Sequence, residues 1–433
     1  MRARTVLPLV LLLNACVPAS QHDVATRANF ADSSLPPMKS FASSVPSAPV
    51  RSNNDLALDF IELSFQMESG RRLPVLTRFE TPITVRVTGN PTSTLGPDLS
   101  RLISRLRSEA RIDISQTTAP DANITIQAVS RAEIRNVLPQ AACFVAPNVS
   151  SLAEYSKARR KPQTNWTLLQ KRERLSIFLP NDSSPQEVRD CLHEELAQAL
   201  GPLNDLYRLP DSVFNDDNVH TVLTGFDMLI LRTYYDPALR SGMSRGQVAA
   251  ALPGILARTN PRGVNKPARY ATRTPREWSK AVQTALGRSI SFEGRTASAN
   301  EAIRIATAMG WQDHRRAFAH YAMGRVMQTT DPALAHRHYI EAERYYANTP
   351  GTTLHRAYVA TQLSAYAITR GDGGTALRLI APHINTAKAS ENAALLSTLL
   401  LLRSEALELE NRHAEARSVR LDSIGWARYG FGP

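Results

Sequence analysis

The chain has 433 residues and a formal net charge of +12. This length excludes a single ordinary hydrophobic core and favours two domains. The basic excess is compatible with anionic lipid headgroups or nucleic acid, but no aromatic stacking platform or Gly-rich phosphate loop accompanies it, which excludes a nucleic-acid partner.

Residues 1–15 carry Arg2 and Arg4 in a charged n-region, an apolar run from Val6 to Leu13, and then Leu13-Asn14-Ala15-Cys16. This is the layout of a secretory signal peptide, too short to span a bilayer as a helix. A plain export signal is the alternative; a cysteine directly after Leu-x-Ala resembles a bacterial lipobox, whose cysteine becomes the lipidated first residue of the mature chain. Lipidation of Cys16 implies a membrane anchor in the cell envelope. Val17, in place of an acidic residue, resembles outer-membrane sorting with the protein facing the periplasm. Cys143 and Cys191 then remain as a pair in an oxidising compartment, where a disulfide is the default expectation and two buried thiols the alternative. Residues 16–54 are rich in Ser, Pro and Ala and read as a flexible tether.

Residues 55–255 mix periods. DLALDFIELSFQMES and LSRLISRLRSEA repeat apolar residues at helical spacing, whereas TPITVRVTG, RIDISQT, ANITIQAV and RLSIFLP read as short strands, and AACFVAP is strand-like. Few strands among helices indicate an α+β domain around one twisted sheet. Ser184-Pro185-Gln186-Glu187 forms a capping box and Gly201-Pro202 a stop, so the spacing predicts a helix over 185–200. Its apolar stripe is Val188, Cys191, Leu192, Leu196, Ala199 and Leu200, and Glu195 lies inside that stripe. A carboxylate facing a core requires a partner; a hydrogen-bonded pair with Gln198 is expected.

His193-Glu194 opens like the zinc-protease signature H-E-x-x-H, but position 197 is alanine, and two ligands on one helical face must sit at i and i+4. One residue later, E-E-L-A-Q-A-L-G-P-L-N, residues 194–204, resembles the extended metzincin signature. Glu195 then falls on the general base and Gly201 on the turn glycine, while Glu194, Gln198 and Asn204 replace the three histidines. DSVFNDD resembles the segment that carries the methionine beneath the metal in matrixin-like metzincins, with Phe214 at that place, and LTGFDMLILRTYYDP resembles the closing helix of the same domain. With the lipobox and the paired cysteines, these features resemble a bacterial domain-of-unknown-function family, number 2927. A coincidental capped helix ending in glycine is the alternative. The resemblance implies a metzincin-like (zincin-type) α+β domain that has lost its zinc ligands. Gln198 and Asn204 offer only amide oxygens; Glu194 and Asp205 could bind a cation, and His193 or His220 could be recruited, but oxygen-only sets favour calcium or magnesium over zinc. The expectation is a pseudoenzyme with no metal and no cofactor.

Residues 256–290 form a basic connecting segment, with eight basic residues and one acidic residue between Arg258 and Arg288, read as a solvated inter-domain surface. Residues 274–427 show no strand pattern, and 291–433 read as a helical domain. Thr274-Pro275-Arg276-Glu277 and Ser298-Ala299-Asn300-Glu301 read as capping boxes opening helices, and Ala335, Ala376 and Ala416 recur at spacings of 41 and 40 residues. Met323-Gly324, Ala335, Tyr339 and Ala342 resemble the small and aromatic positions of tetratricopeptide repeats, although that family's period is about 34 residues. A non-repetitive helical bundle is the alternative. The expected architecture is thus a metzincin-like α+β domain followed by an all-α helical-repeat domain. Two functions remain open: an interaction or scaffold protein whose repeats dock an envelope protein or peptide, and an unusual peptide hydrolase using Glu195 as general base.

Overall fold

Ser52 opens the first helix: its side chain accepts a hydrogen bond from Asp55 N, so the chain turns into helix α1 (Asn53–Ser64). The computed structural model describes residues 35–41, 49, 51–269, 271–287 and 289–432. The leader, the Leu-x-Ala-Cys16 motif and residues 16–34, 42–48 and 50 of the expected tether lie outside them. After α1 come β1 (Ile83–Gly89), α2 (Leu95–Ser108), β2 (Ile114–Gln116), β3 (Ile124–Val129), α3 (Arg131–Val137), β4 (Phe144–Pro147), α4 (Leu152–Ala158), β5 (Leu175–Pro180), α5 (Pro185–Leu200), α6 (Gly225–Tyr234) and α7 (Arg245–Thr259).

The five strands form one sheet in the order β2-β1-β3-β5-β4. β1 pairs in parallel with β2 and β3, and β3 with β5, while β4 runs antiparallel at the edge. β1 alternates, with Ile83 and Val85 buried and Thr84 and Arg86 half-buried. β5 is buried along its whole length because both its faces are covered. Leu175, Ile177 and Leu179 pack with Leu192 and Leu196 of α5, and Phe178 packs on the opposite side with Ile134 and Leu152.

Beyond α7 the described chain is all helical: α8 (Arg276–Leu286), α9 (Phe292–Ala308), α10 (His314–Met327), α11 (Pro332–Ala347), α12 (Thr353–Thr369), α13 (Gly373–Ile380), α14 (Ile384–Ala389), α15 (Ala393–Leu409) and α16 (His413–Gly430). Ala335, Ala376 and Ala416 are each the fourth residue of their helices, α11, α13 and α16, and all are buried. Small residues are needed where helices approach closely: a Cβ on Gly324 would lie 2.5 Å from the Tyr339 ring. Two expected helix starts differ. Ser298 is inside α9, which begins six residues earlier behind Ser291, whose side chain accepts from Gly294 N; Glu301 instead pairs with Arg304 one turn on. Thr274 caps nothing, because Pro275 occupies the cap of α8 and the Thr274 hydroxyl accepts from Arg315 Nη1 at 3.2 Å.

The basic segment is more than a solvated surface. Arg258 pairs with Asp236 and Arg273 with Glu62, Arg269 N donates to Asp55, and Arg276 donates to Ser69 O, so it straps α1 and its following turn. It also ends in α8, whose Trp278 is fully buried against Tyr207, Trp311 and Phe318. From the tether stretch, Phe41 stacks on Trp426 with ring centroids 4.5 Å apart. Residues 36–433 form one compact unit. No helix among the described residues is long and apolar enough to cross a membrane.

His314, at the start of α10, joins the two regions through Nε2 to Tyr207 O at 2.6 Å. Burial, with His355 and Arg315 adding to it and Asp313 opposing, pushes its pKa down to about 4. The unfolded chain would take up that proton near pH 6.5, so the stabilisation is complete above about pH 6.5 and lost as pH falls towards about 4. His314→Gln is expected to reduce the stability difference between neutral and acidic pH by on the order of 2 kcal/mol, as read from denaturant midpoints across that window.

Candidate functional site

The candidate site forms around α5, whose bounds coincide with the expected helix. Ser184 accepts from Glu187 N and Pro185 takes the first position. The Glu187 side chain does not return to complete a capping box; it pairs with Arg131. At the other end the buried Arg172 donates Nη1 to Ala199 O at 2.8 Å and Nη2 to Gly201 O at 2.5 Å, satisfying carbonyls that the helix leaves open. Gly201 is required by space: a Cβ there would come within 2.9 Å of the Tyr234 ring. Cys191 is disulfide-bonded to Cys143, just ahead of β4, so the helix is pinned to the sheet edge.

The metzincin-like positions separate on folding. Glu194 and Gln198 face Glu68, with Gln198 Nε2 at 3.5 Å from Glu68 Oε1. Asn204 turns away and donates to Glu62 O at 3.0 Å, and its neighbour Asp205 takes the place facing the others. The expected Glu195–Gln198 pair does not form. Glu195 accepts from the Val145 backbone on the edge strand, and its Oε2 is enclosed with no partner. Phe214 is fully buried; its carbonyl accepts from Leu206 N, and Ser212 beside it donates to Asp227 Oδ1 in α6. His193 Nδ1 accepts from Leu223 N at 3.1 Å, and His220 Nε2 lies 3.0 Å from Pro210 O, so both imidazoles are engaged in loop structure.

Two residues of the site carry no sequence signal. Glu68 follows α1 and is brought in by backbone bonds from Glu68 N to Leu203 O and from Leu203 N to Leu63 O. Asp216 lies in the NDD stretch after Phe214, where a run of acids before a loop was the only hint. One carboxylate oxygen from each of Glu68, Asp205 and Asp216 lies within 4.8 Å of the others. Among the described residues none of these acids, nor Glu194 or Glu195, has a Lys, Arg or His ion-pair partner.

Crowded acids cannot all ionise. Burial, then the charges of Glu68 and Asp216, push Glu194 up to about 7, and burial with Glu68 and Asp217 pushes Asp216 to about 6. Burial together with neighbouring carboxylates holds Glu195 and Asp205 well above the usual carboxylate range. The donor set is all oxygen. It suits protons or a hard cation and offers zinc no imidazole.

The described residues define a mixed α/β domain with a five-stranded sheet, followed by an all-helical region, with a carboxylate cluster at the end of the central helix. Residues 53–254 match the family described as "Protein of unknown function (DUF2927)", which supports the assignment of that segment to it. The match begins at the first residue of α1 and includes every residue of the cluster. No curated protein and no solved structure matches the chain.

Proposed function

We propose that the chain is a lipid-anchored interaction protein of the cell envelope, in which a metzincin-type framework, no longer hydrolytic, mounts a helical-repeat docking module. The observation that carries this reading is what α5 and its loops are used for. The imidazoles a zinc site would recruit are engaged elsewhere, His193 holding Leu223 and His220 meeting Pro210, and Asn204, at the third ligand position, holds α1 instead. Farther up the same helix, Gln186 Nε2 donates to Asn392 Oδ1 at 3.1 Å and Arg189 pairs with Glu391, so α5 braces the sheet against the helical region. The alanines repeating at the fourth position of α11, α13 and α16 support a tetratricopeptide-like arrangement, whose concave face takes a peptide or protein. Leu-x-Ala-Cys16 supports the anchor, with outer-membrane sorting implied by Val17. The unpartnered Glu195 Oε2 favours the hydrolase reading, but burial and the neighbouring carboxylates raise the Glu195 pKa well above the usual carboxylate range, which disfavours the ionised form a general base needs.

The test has two arms. Glu195→Ala removes the acceptor for Val145 N–H and is expected to cost about 1–3 kcal/mol in denaturant unfolding, whereas Glu195→Gln keeps an acceptor and retains stability. Neither variant nor the wild type is expected to cleave a broad peptide library, with or without zinc. Zinc-dependent cleavage by the wild type that disappears in a stable Glu195→Gln would reverse the reading. In the second arm, Cys16→Ser is expected to leave the detergent phase on phase partitioning, and unchanged partitioning would refute the anchor.

A further inference from the structure

We propose that Glu68, Asp205 and Asp216, with Glu194 beside them, form a binding site for a hard divalent cation, and that this cation is calcium. The inference stands apart from the non-hydrolytic reading, since a calcium site is compatible with either function. Three separate stretches of chain converge here: the turn after α1, the C-terminal half of α5, and the loop between α5 and α6. One oxygen from each of the three named carboxylates falls within 4.8 Å of the others. Oxygens sharing one calcium ion at about 2.3–2.6 Å can lie up to about 5 Å apart, and calcium's flexible coordination accommodates carboxylates delivered from separate stretches of chain more readily than the strict octahedron of magnesium. Glu68 is exposed and Asp205 and Asp216 are half-buried, so an ion has a path from solvent.

A group of acids alone would not make a site; two further observations point to a ligand. Glu195 is only 5% exposed, yet its Oε2 is enclosed with no hydrogen-bond partner, while the side chain lies beside Glu194 and Glu68. Within the cluster itself the Asp205 side chain hydrogen-bonds to Glu68, yet its Oδ1 is enclosed with no partner. Buried polar atoms in folded proteins are nearly always satisfied, and an enclosed, unsatisfied carboxylate oxygen inside the group of acids, with a second on the adjoining Glu195, marks a missing positive partner. Elsewhere this chain supplies such partners: Asp59 has Arg51 and Arg208, and Glu62 has Arg208 and Arg273. In a protein of net charge +12, the absence of a cationic side chain here is local to this cluster. The donor set contains carboxylates and no available imidazole, which selects calcium over zinc.

The test is isothermal titration of the full mature protein, stripped with chelator, with calcium, magnesium and zinc chlorides at neutral pH. One calcium ion is expected to bind with a dissociation constant of about 10⁻⁴ M, and about tenfold more tightly than magnesium. Asp205→Asn and Glu68→Gln should each weaken calcium binding by about tenfold, while Glu173→Gln, an exposed acid outside the cluster, should leave it unchanged. If Asp205→Asn does not fold by circular dichroism, Asp216→Asn takes its place. No saturable calcium binding, or binding that the cluster variants leave intact, overturns the site. Zinc binding tighter than calcium and lost in the same variants overturns the calcium assignment; the non-hydrolytic reading falls only if peptide cleavage accompanies it.

Discussion

Arg189→Met is expected to destabilise the protein by about 3–5 kcal/mol, read as a lower midpoint in guanidinium unfolding. The Arg189 side chain is 2% exposed and pairs at 3.0 Å with Glu391, which is 9% exposed, and it also donates to the Glu391 carbonyl. Its guanidinium lies 5.3 Å from the ring centroids of both Phe41 and Tyr429. Methionine fills the channel but leaves the Glu391 carboxylate buried without the charge that faced it. Most of the loss therefore comes from desolvation and should be recovered in Arg189→Met/Glu391→Gln, where no carboxylate remains to be compensated. A double variant as unstable as the single one would show that stacking on Phe41 and Tyr429, rather than the ion pair, carries the effect.

Replacing Cys143 and Cys191 together by alanine is expected to cost about 4 kcal/mol, from the entropy of a loop of this length in the unfolded chain. The bridge spans 48 residues, and that loop contains β4, α4 and β5. Without it, α5 retains Leu192 and Leu196 against β5, so the fold is expected to persist with lower stability. Equal denaturant midpoints for the oxidised wild type and the double variant would contradict this. The loss should be largest for α5 and β4, where hydrogen exchange would rise first.

The sequence alone determined the local features. The bounds of α5 followed from Ser184-Pro185 and Gly201-Pro202, because caps and breakers act on their own neighbours. The short strands and the succession of helices after residue 274 followed from period-2 and helical spacing. Where local signals competed, the sequence misled: Ser298-Ala299-Asn300-Glu301 satisfies the capping pattern, but the helix had already started behind Ser291, and a hydroxyl in mid-helix does not stop propagation. The oddity of Glu195 was also legible, as an acid inside an apolar stripe. Its partner was not, because Val145 lies on a strand 50 residues away and was brought close by sheet pairing and the disulfide. Glu68 shows the same limit most clearly: it sits 126 residues before Glu194 in an unremarkable turn, and only the backbone bonds between the end of α1 and Leu203 carry it to the cluster. Which acids share one volume, and which of them have no cation facing them, is fixed by long-range packing, since carboxylates far apart in sequence repel or share a proton only once the fold removes the water between them.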